Sequence, residues 1–591
     1  MRYDCTPMTF WRSPLLGGCR RCKTVFVKSL RQKDRKNLYL IGGILRFFCI
    51  ASLQCFFIFK EEKQQMQEPI LLSQTFVEWL TEFNDTINNF VWVKIGIALL
   101  LGTGILTTLI TKVFQVTHLG HWMKRTLGSI FNKKVTTHTK EKASISQFQA
   151  LCTALAATIG VGNIAGVAAA ITTGGAGAVF WMWVAAFFGM MTNYSENILG
   201  IFYRRKNAAG EWSGGAMYYI RDGLGSKKQM KIPARILAVL FSAFCLLASL
   251  GIGNMGQVNK IVINFQSAFE IESLSRIELY DGISLYSVVI GVVLMLIAAL
   301  IILGGLKRIA SFAEKIVPFM VIAFVVGSLV VIGANYDNII PAFKAIFVYA
   351  FNAKAAVGGT IGFAIKTVMT CGFKRGIFSN EAGLGSSVMV HCNSNVKEPV
   401  QQGMWGIFEV FADTMVVCTM TALVVLTSTD VVNLSTGAIN PNAGSDATLV
   451  AEAFNNVFHI GNFNLGRMFI AIAILLFAFT TVLGWSHYGT KAWEYLFGTK
   501  STIIYKIFFV VMIMSGALMT SSLAWDISDT FNGLMMLPNL IGVICLSGLV
   551  IKLTKNYVDR NLRHKDVPPM LSYDPDIQAQ MEAELSENSD I

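Results

Sequence analysis

Runs of apolar residues, each near the length that crosses a bilayer, recur eleven times along this chain and leave it few folds to adopt. They fall near 91–113, 147–171, 176–203, 234–264, 285–303, 312–332, 357–371, 404–427, 468–489, 503–522 and 533–553. A helix of about 20 residues spans the hydrocarbon layer. Lipid admits only helices or closed barrels, because every backbone polar group must find a partner internally. Charged residues make up 14% of the 591, where a soluble domain carries about 25%. The pattern predicts an all-α polytopic membrane protein embedded in a lipid bilayer.

Loop charge orders the spans. The formal net charge of +13 does not point to nucleic acid, because the basic residues sit in short loops, as topology by the positive-inside rule requires. Lys124, Arg125, Lys133, Lys134, Lys140 and Lys142 occupy one loop; Lys307, Arg308 and Lys315, then Lys374 and Arg375, then Lys491 and Lys500 occupy later ones. The intervening loops at 265–284 and 428–464 are net acidic. The alternation implies eleven crossings of a cell membrane with a cytoplasmic C-terminus. Residues 1–65 form a basic extension with a further candidate membrane helix at 38–59, and Met66 offers an alternative start. The segment 66–146 holds the leading helix and its cytoplasmic loop, and 554–591 is a polar tail. From 566 onward that tail has the composition of a disordered segment.

The eleven cysteines make no paired framework, the seven histidines no ligand cluster, and Cys19-Arg-Arg-Cys22 is half a metal motif without its other half. With no catalytic constellation either, the sequence predicts neither an enzyme nor a resident cofactor.

The second span is interrupted. Ala154-Leu-Ala-Ala-Thr-Ile-Gly-Val-Gly-Asn-Ile-Ala-Gly-Val167 is apolar, yet Thr158 to Asn163 is a poor helix, with Gly160 and Gly162 beside β-branched neighbours. Each glycine costs a helix roughly 1 kcal/mol against alanine. Broken backbone at membrane depth survives where protein or a wet cavity satisfies it. The helix end before such a break offers carbonyls to a cation, and the end after it offers N–H groups to a carboxylate. Close helix packing on Gly160, Gly162 and Gly166 explains the same residues equally well.

After one leading helix, the remaining ten spans divide into five (147–332) and five (333–553). Because five is odd, the halves must face opposite ways, the requirement of an inverted-repeat transporter with its site at mid-membrane. The second half opens with a glycine-rich stretch of its own, Gly358-Gly-Thr-Ile-Gly-Phe363, the expected place for a second interruption. Asn163 and Gln257 carry donors and an acceptor inside apolar spans, as substrate contacts or as interhelical glue. Phe477-Ala-Phe-Thr480-Thr481 offers two hydroxyls of the kind a hard cation takes as ligands, or that cap their own helix. Trp485, one turn beyond Thr481, shares its face.

Several motifs resemble one family. Ala157-Thr-Ile-Gly-Val-Gly-Asn-Ile-Ala-Gly166, Gly174-Gly-Ala-Gly-Ala-Val-Phe-Trp-Met-Trp183, Ser213-Gly-Gly-Ala-Met-Tyr218, Gly251-Ile-Gly-Asn-Met-Gly-Gln257, Arg375-Gly-Ile-Phe-Ser-Asn-Glu-Ala-Gly-Leu-Gly385, Asp413-Thr-Met-Val-Val-Cys418 and Gly484-Trp-Ser-His-Tyr-Gly489 are similar to those of the alanine or glycine:cation symporter family. The resemblance covers roughly residues 75–560. It implies the leucine-transporter fold and sodium-coupled import of a small neutral amino acid. It further implies a substrate pocket from Thr158, Gly160, Gly162, Asn163, Gln257, Thr360, Phe363, Thr481 and Trp485. The implied sodium site joins the Thr480 and Thr481 hydroxyls and Phe477 to the carbonyls of Ala156 and Ile159. Thr360 departs from the aromatic residue that the family often carries near that position.

Carboxylates within spans are functional suspects. Glu196 and Asp413 lie toward span ends, as gates, as partners of Lys or Arg, or as ion ligands. Glu409 also lies within a span, and Glu381 falls in a loop or re-entrant piece. The Gly160 break itself holds no carboxylate, so a net-neutral site is expected. Lys366, inside the helix opening the second half, either snorkels to the interface or reaches the site and replaces a cation, which would make transport proton-coupled. A channel would need a continuous polar pore, which the apolar spans do not supply.

Overall fold

Nearly every element of the computed structural model is helical, with two short hairpins between helices. It describes residues 68–130, 132, 144–280, 283–351, 361–429, 431–432, 440, 444, 446–461, 463–519 and 523–586. The candidate anchor at 38–59 lies outside the described residues, and the helical core belongs to the unit Leu72–Ile591.

Glu68–Asn88 continues through a π-helical stretch, Asn89–Gly96, into α1, Ile97–Ile110. The first half comprises α2 (Gln147–Thr158) with α3 (Val167–Gly174), then α4 (Gly177–Phe202), α5 (Lys231–Leu250) running on into α6 (Gly256–Ala268), α7 (Leu285–Ile302) and α8 (Leu306–Ala334). The second comprises α9 (Ile361–Asn380) with the short α10 (Val388–His391), then α11 (Pro399–Val410) running on into α12 (Thr419–Thr427), α13 (Leu465–Phe497), α14 (Thr502–Ala517) and α15 (Leu523–Cys545). The chain ends with α16 (Ser547–Asn561) and α17 (Pro575–Ser586).

Among the described residues, seven helices are long and apolar enough to cross a membrane, and two bent pairs raise the number to nine. Two more core helices, α4 and α9, have the length but less apolarity. Part of the polarity of α4, Asn193, Ser195, Glu196 and Asn197, is buried inside the bundle. The protein is an all-α, multi-pass membrane protein whose core divides into five helices and five.

The first interruption lies where the glycines place it. Ser146 opens α2 with a capping box, its side chain accepting from Gln149 N–H while Gln149 returns the bond. Ile159 leaves helical geometry at ψ 89. A single π turn, Gly162–Gly166, restarts the helix, and the two halves meet at 53°.

Only part of Gly358–Phe363, where a second interruption was expected, is described. Gly358 to Thr360 fall outside the described residues, and α9 runs unbroken from Ile361 to Asn380. The break comes after it, at 381–387, where Glu381 (φ 55), Gly383 (φ 91) and Gly385 (φ 71) turn left-handed. Left-handed residues end a helix more decisively than small ones do.

The tail also departs from expectation. It is ordered as far as α17, with Leu571 and Met581 buried against Trp212. Tyr573 N–H donates to Phe202 O, and Lys397 pairs with Glu584. Three apolar side chains outweigh the acidic composition around them.

Helix α13 packs on α2, α5 and α6, while α4 packs on α9 and α11. A Cβ on Gly484 would sit 2.6 Å from that of Ala157. The missing side chain lets α13 approach α2 closely, which sets Thr481, one turn earlier, against the first break.

Candidate substrate and cation site

The break rearranges the local hydrogen bonds, and the rearrangement builds the site. Gly160 N–H turns to Asn163 Oδ1 at 2.9 Å, and Asn163 N–H turns to Gly160 O at 3.2 Å. In an unbroken helix those N–H groups would serve the carbonyls of Ala156 and Ile159. Both carbonyls are thereby released, and the hydroxyl of Thr481 stands against them. Thr481 Oγ1 is 3.1 Å from Ala156 O, 3.5 Å from Ile159 O and 3.0 Å from Phe477 O. One hydroxyl proton cannot satisfy three carbonyls. Four oxygens thus converge, two of them carbonyls without their helical N–H, the ligand environment of a hard cation.

Thr480 does not share this position. Its Oγ1 donates to Leu476 O and Phe477 O of its own helix, at 2.9 Å each, and lies 3.7 Å from Met320 Sδ on α8. Adjacent helical residues point about 100° apart, so only one of the pair faces the break.

Beside this oxygen cluster lies a small cavity of about 20 Å³, about the room that one water needs. Thr158, Gly160, Gly162, Gln257, Thr481 and Trp485 line it, all anticipated from the sequence. Glycine is required at two of these positions by proximity. A Cβ on Gly160 would meet Thr481 Oγ1 at 2.5 Å, and one on Gly162 the Phe378 ring at 3.1 Å. Gln257 Oε1 accepts from Val161 N–H at 3.2 Å while its Nε2 donates to Ile252 O.

Asn163 is not among the lining residues. Its side chain is committed on both sides, accepting from Gly160 N–H and donating 2.7 Å to Asp413 Oδ1. It holds the break open and ties it to α11's continuation. Asp413 is fully buried and accepts further from Ser379 Oγ (2.7 Å) and Thr414 Oγ1 (2.8 Å). Glu196 accepts from Asn539 Nδ2. The expected Lys or Arg partners of these two acids are absent; amides and hydroxyls take their place, because α4, α11 and α15 present no cation at that depth among the described residues.

Lys366 is exposed and does not line the cavity. Its long stem carries the ammonium outward. Thr360 and the side chain of Phe363 lie outside the described residues. Sequence reasoning passed over Phe378, at the end of α9, and named Glu381 only as a suspect carboxylate in a loop; both line the cavity. Glu381 brings a carboxyl to a site expected to be net-neutral, and its Oε1 accepts from Trp485 Nε1 at 2.8 Å. The signal was present in left-handed glycines two and four residues beyond it.

Comparison with known proteins follows the same lines. The model of the sodium:alanine symporter family matches residues 77–570. The chain is 41% identical over 479 residues to the sodium/alanine symporter AgcS of Methanococcus maripaludis, covering 80% of this chain and 96% of that one. It is 34% identical over 480 residues to the probable sodium/glutamine symporter GlnT of Bacillus subtilis, covering 81% and 91%. Among solved structures, MhsT in complex with L-phenylalanine is similar at 10% identity and a TM-score of 0.45, over 70% of this chain and 99% of that one.

Proposed function

This chain belongs to the sodium:alanine symporter family, a family of transporters and not of enzymes, and on that premise we propose that it carries a small neutral amino acid, alanine or glycine, into the cell together with sodium. The observation that carries the reading is the placing of Thr481 Oγ1 among the carbonyls of Ala156, Ile159 and Phe477. Sodium binds among these oxygens. The amino acid occupies the adjoining cavity with its carboxylate toward the half-helix that starts at Gly162 and its side chain against Trp485 and Phe378. Gln257 and Asn163 hold the break in shape, and Thr158 lines it.

Transport proceeds by alternating access. The two halves rock about the mid-membrane site, opening it first outward and then to the cytoplasm, where the C-terminus lies. Each sodium charge moved inward down 100 mV supplies about 2.3 kcal/mol. The exposed position of Lys366 weighs against a lysine-based proton coupling.

The test is uptake of labelled alanine, glycine and glutamine by the purified protein in proteoliposomes, with and without a sodium gradient and with and without a pH gradient. Sodium-driven accumulation of alanine or glycine is expected. Accumulation that follows pH and ignores sodium would overturn the coupling, and preference for glutamine would overturn the cargo.

A further inference from the structure

Glu381 stands where almost every local feature disfavours a carboxylate. It is the first residue after α9 and only 4% exposed. The C-terminal end of a helix carries partial negative charge and repels an anion. The backbone there is left-handed, φ 55, a conformation uncommon outside glycine. Residues held in such conformations cluster at ligand sites. The oxygens of Glu381 accept from Trp485 Nε1 at 2.8 Å and Ser386 Oγ at 2.5 Å, and neither donor is charged. Glu409 and Asp413, whose charges reach it, are acids as well. No lysine, arginine or histidine bonds it among the described residues. A carboxyl buried in such surroundings either keeps a proton or pairs with a cation.

The cavity says where that cation sits. Gly160 and Gly162 line it from the first break, and Glu381 lines it from the second. A zwitterion lying between them has its carboxylate end at the Gly160 and Val161 N–H groups, which here bond the side chains of Asn163 and Gln257, and a carboxyl at its ammonium end. Sodium is already accommodated at Thr481, which leaves Glu381 for the cargo's own positive charge. We propose that Glu381 binds the α-ammonium of the substrate and thereby restricts the transporter to amino acids, rejecting organic acids of the same shape. The proposal rests on the amino-acid reading given above. The left-handed backbone and the Trp485 contact occur at the same residue, the first after α9.

The test compares alanine with its 2-hydroxy counterpart, lactate, as competitors of sodium-driven labelled-alanine uptake by the full-length protein in proteoliposomes. In the unaltered protein, lactate is expected to compete at least 100-fold more weakly than alanine. Glu381→Gln should raise the KM for alanine tenfold or more and shrink the alanine-to-lactate preference at least tenfold. Glu381→Asp should retain most of that preference with a several-fold higher KM. A merely structural role would lower the rate of uptake and leave the preference unchanged. If Glu381→Gln is not recovered folded, Glu381→Ala, which should lose the preference likewise, and the competition in the unaltered protein decide. Lactate competing within tenfold of alanine in the unaltered protein, or an unchanged preference in folded Glu381→Gln or Glu381→Ala, overturns the proposal. Loss of sodium dependence in the unaltered protein would instead overturn the coupling reading and leave the preference measurable.

Discussion

Thr480 and Thr481 are neighbours of identical chemistry, and the structure assigns them opposite consequences. Consider Thr481→Val, which preserves side-chain shape and removes the hydroxyl. Thr481 Oγ1 is the one oxygen of the cluster that a substitution can delete, since its companions at 3.0, 3.1 and 3.5 Å are backbone carbonyls. A polar contact to a charged group is worth about 1.5–3 kcal/mol, and each 1.4 kcal/mol is tenfold in affinity. The sodium concentration for half-maximal alanine uptake should therefore rise by about 10- to 150-fold. Thr480→Val removes a hydroxyl that serves only its own helix and lies against Met320. It should leave sodium dependence within about threefold, since losing one ordinary hydrogen bond is worth about 1 kcal/mol of stability and none of ion affinity. Thr481→Ser, which keeps the oxygen, should stay close to the unaltered protein.

The assay is initial uptake of labelled alanine into proteoliposomes over a series of external sodium concentrations, normalised to reconstituted protein. Equal shifts in both valine variants, or a shift in Thr480→Val alone, would refute the assignment of Thr481 to the cation. A fall in maximal rate without a change in half-saturation would refute the step from geometry to ion binding.

Three further outcomes follow from the same contacts. Gly160→Ala places a methyl group 2.5 Å from Thr481 Oγ1 and should abolish sodium-driven uptake in protein that still reaches the membrane, whereas Gly166→Ala, with nothing within 4 Å, should transport normally. Asp413→Asn turns an amide N–H toward three donors, from Asn163, Ser379 and Thr414. An unsatisfied buried polar group costs about 1–3 kcal/mol, so the purified protein should melt measurably lower, and an unchanged Tm would contradict the bonding described. Leu571→Asp puts a charge against Trp212, where Leu571 is fully buried. Limited proteolysis should then remove the tail beyond residue 565 from the variant and spare it in the unaltered protein.

How much of this was legible in the sequence depended on whether the cause was local. The spans were legible because a bilayer imposes length and apolarity on each helix by itself. The first break was legible because Gly160 and Gly162 weaken the helix where they stand. The break at 381–387 was not read, because Gly358 and Gly359 offered a glycine signal that drew attention first. What terminates α9 is instead a left-handed run beginning at a glutamate, and no propensity scale assigns that conformation to glutamate. The partners of Asp413 and Glu196 were hidden for a different reason. Asn163 is 250 residues from Asp413, and Asn539 is 343 from Glu196, so a span-end carboxylate read alone suggests a basic partner where the fold supplies amides. The tail was misjudged because composition averages over charges, while docking needed only Leu571 and Met581 to meet a tryptophan some 360 residues earlier.

The two breaks also divide the chemical work in a way that a single helix could not. In a continuous helix each carbonyl is matched to an N–H, so neither a cation nor a carboxylate finds an unspent partner. The first break releases carbonyls toward Thr481. Its N–H groups at Gly160 and Val161 are held by Asn163 and Gln257, side chains that rotate more readily than backbone. The second break contributes a fixed carboxylate through Glu381. Coupling then has a physical basis in charge: sodium and a zwitterion together bring one net positive charge to a cavity that holds one negative. The zwitterion alone leaves that buried charge uncompensated, at a cost of several kcal/mol, and sodium removes the cost. That arithmetic favours the zwitterion only in the company of sodium, and Glu381→Gln should therefore loosen the dependence of alanine uptake on sodium as well as its preference for an ammonium.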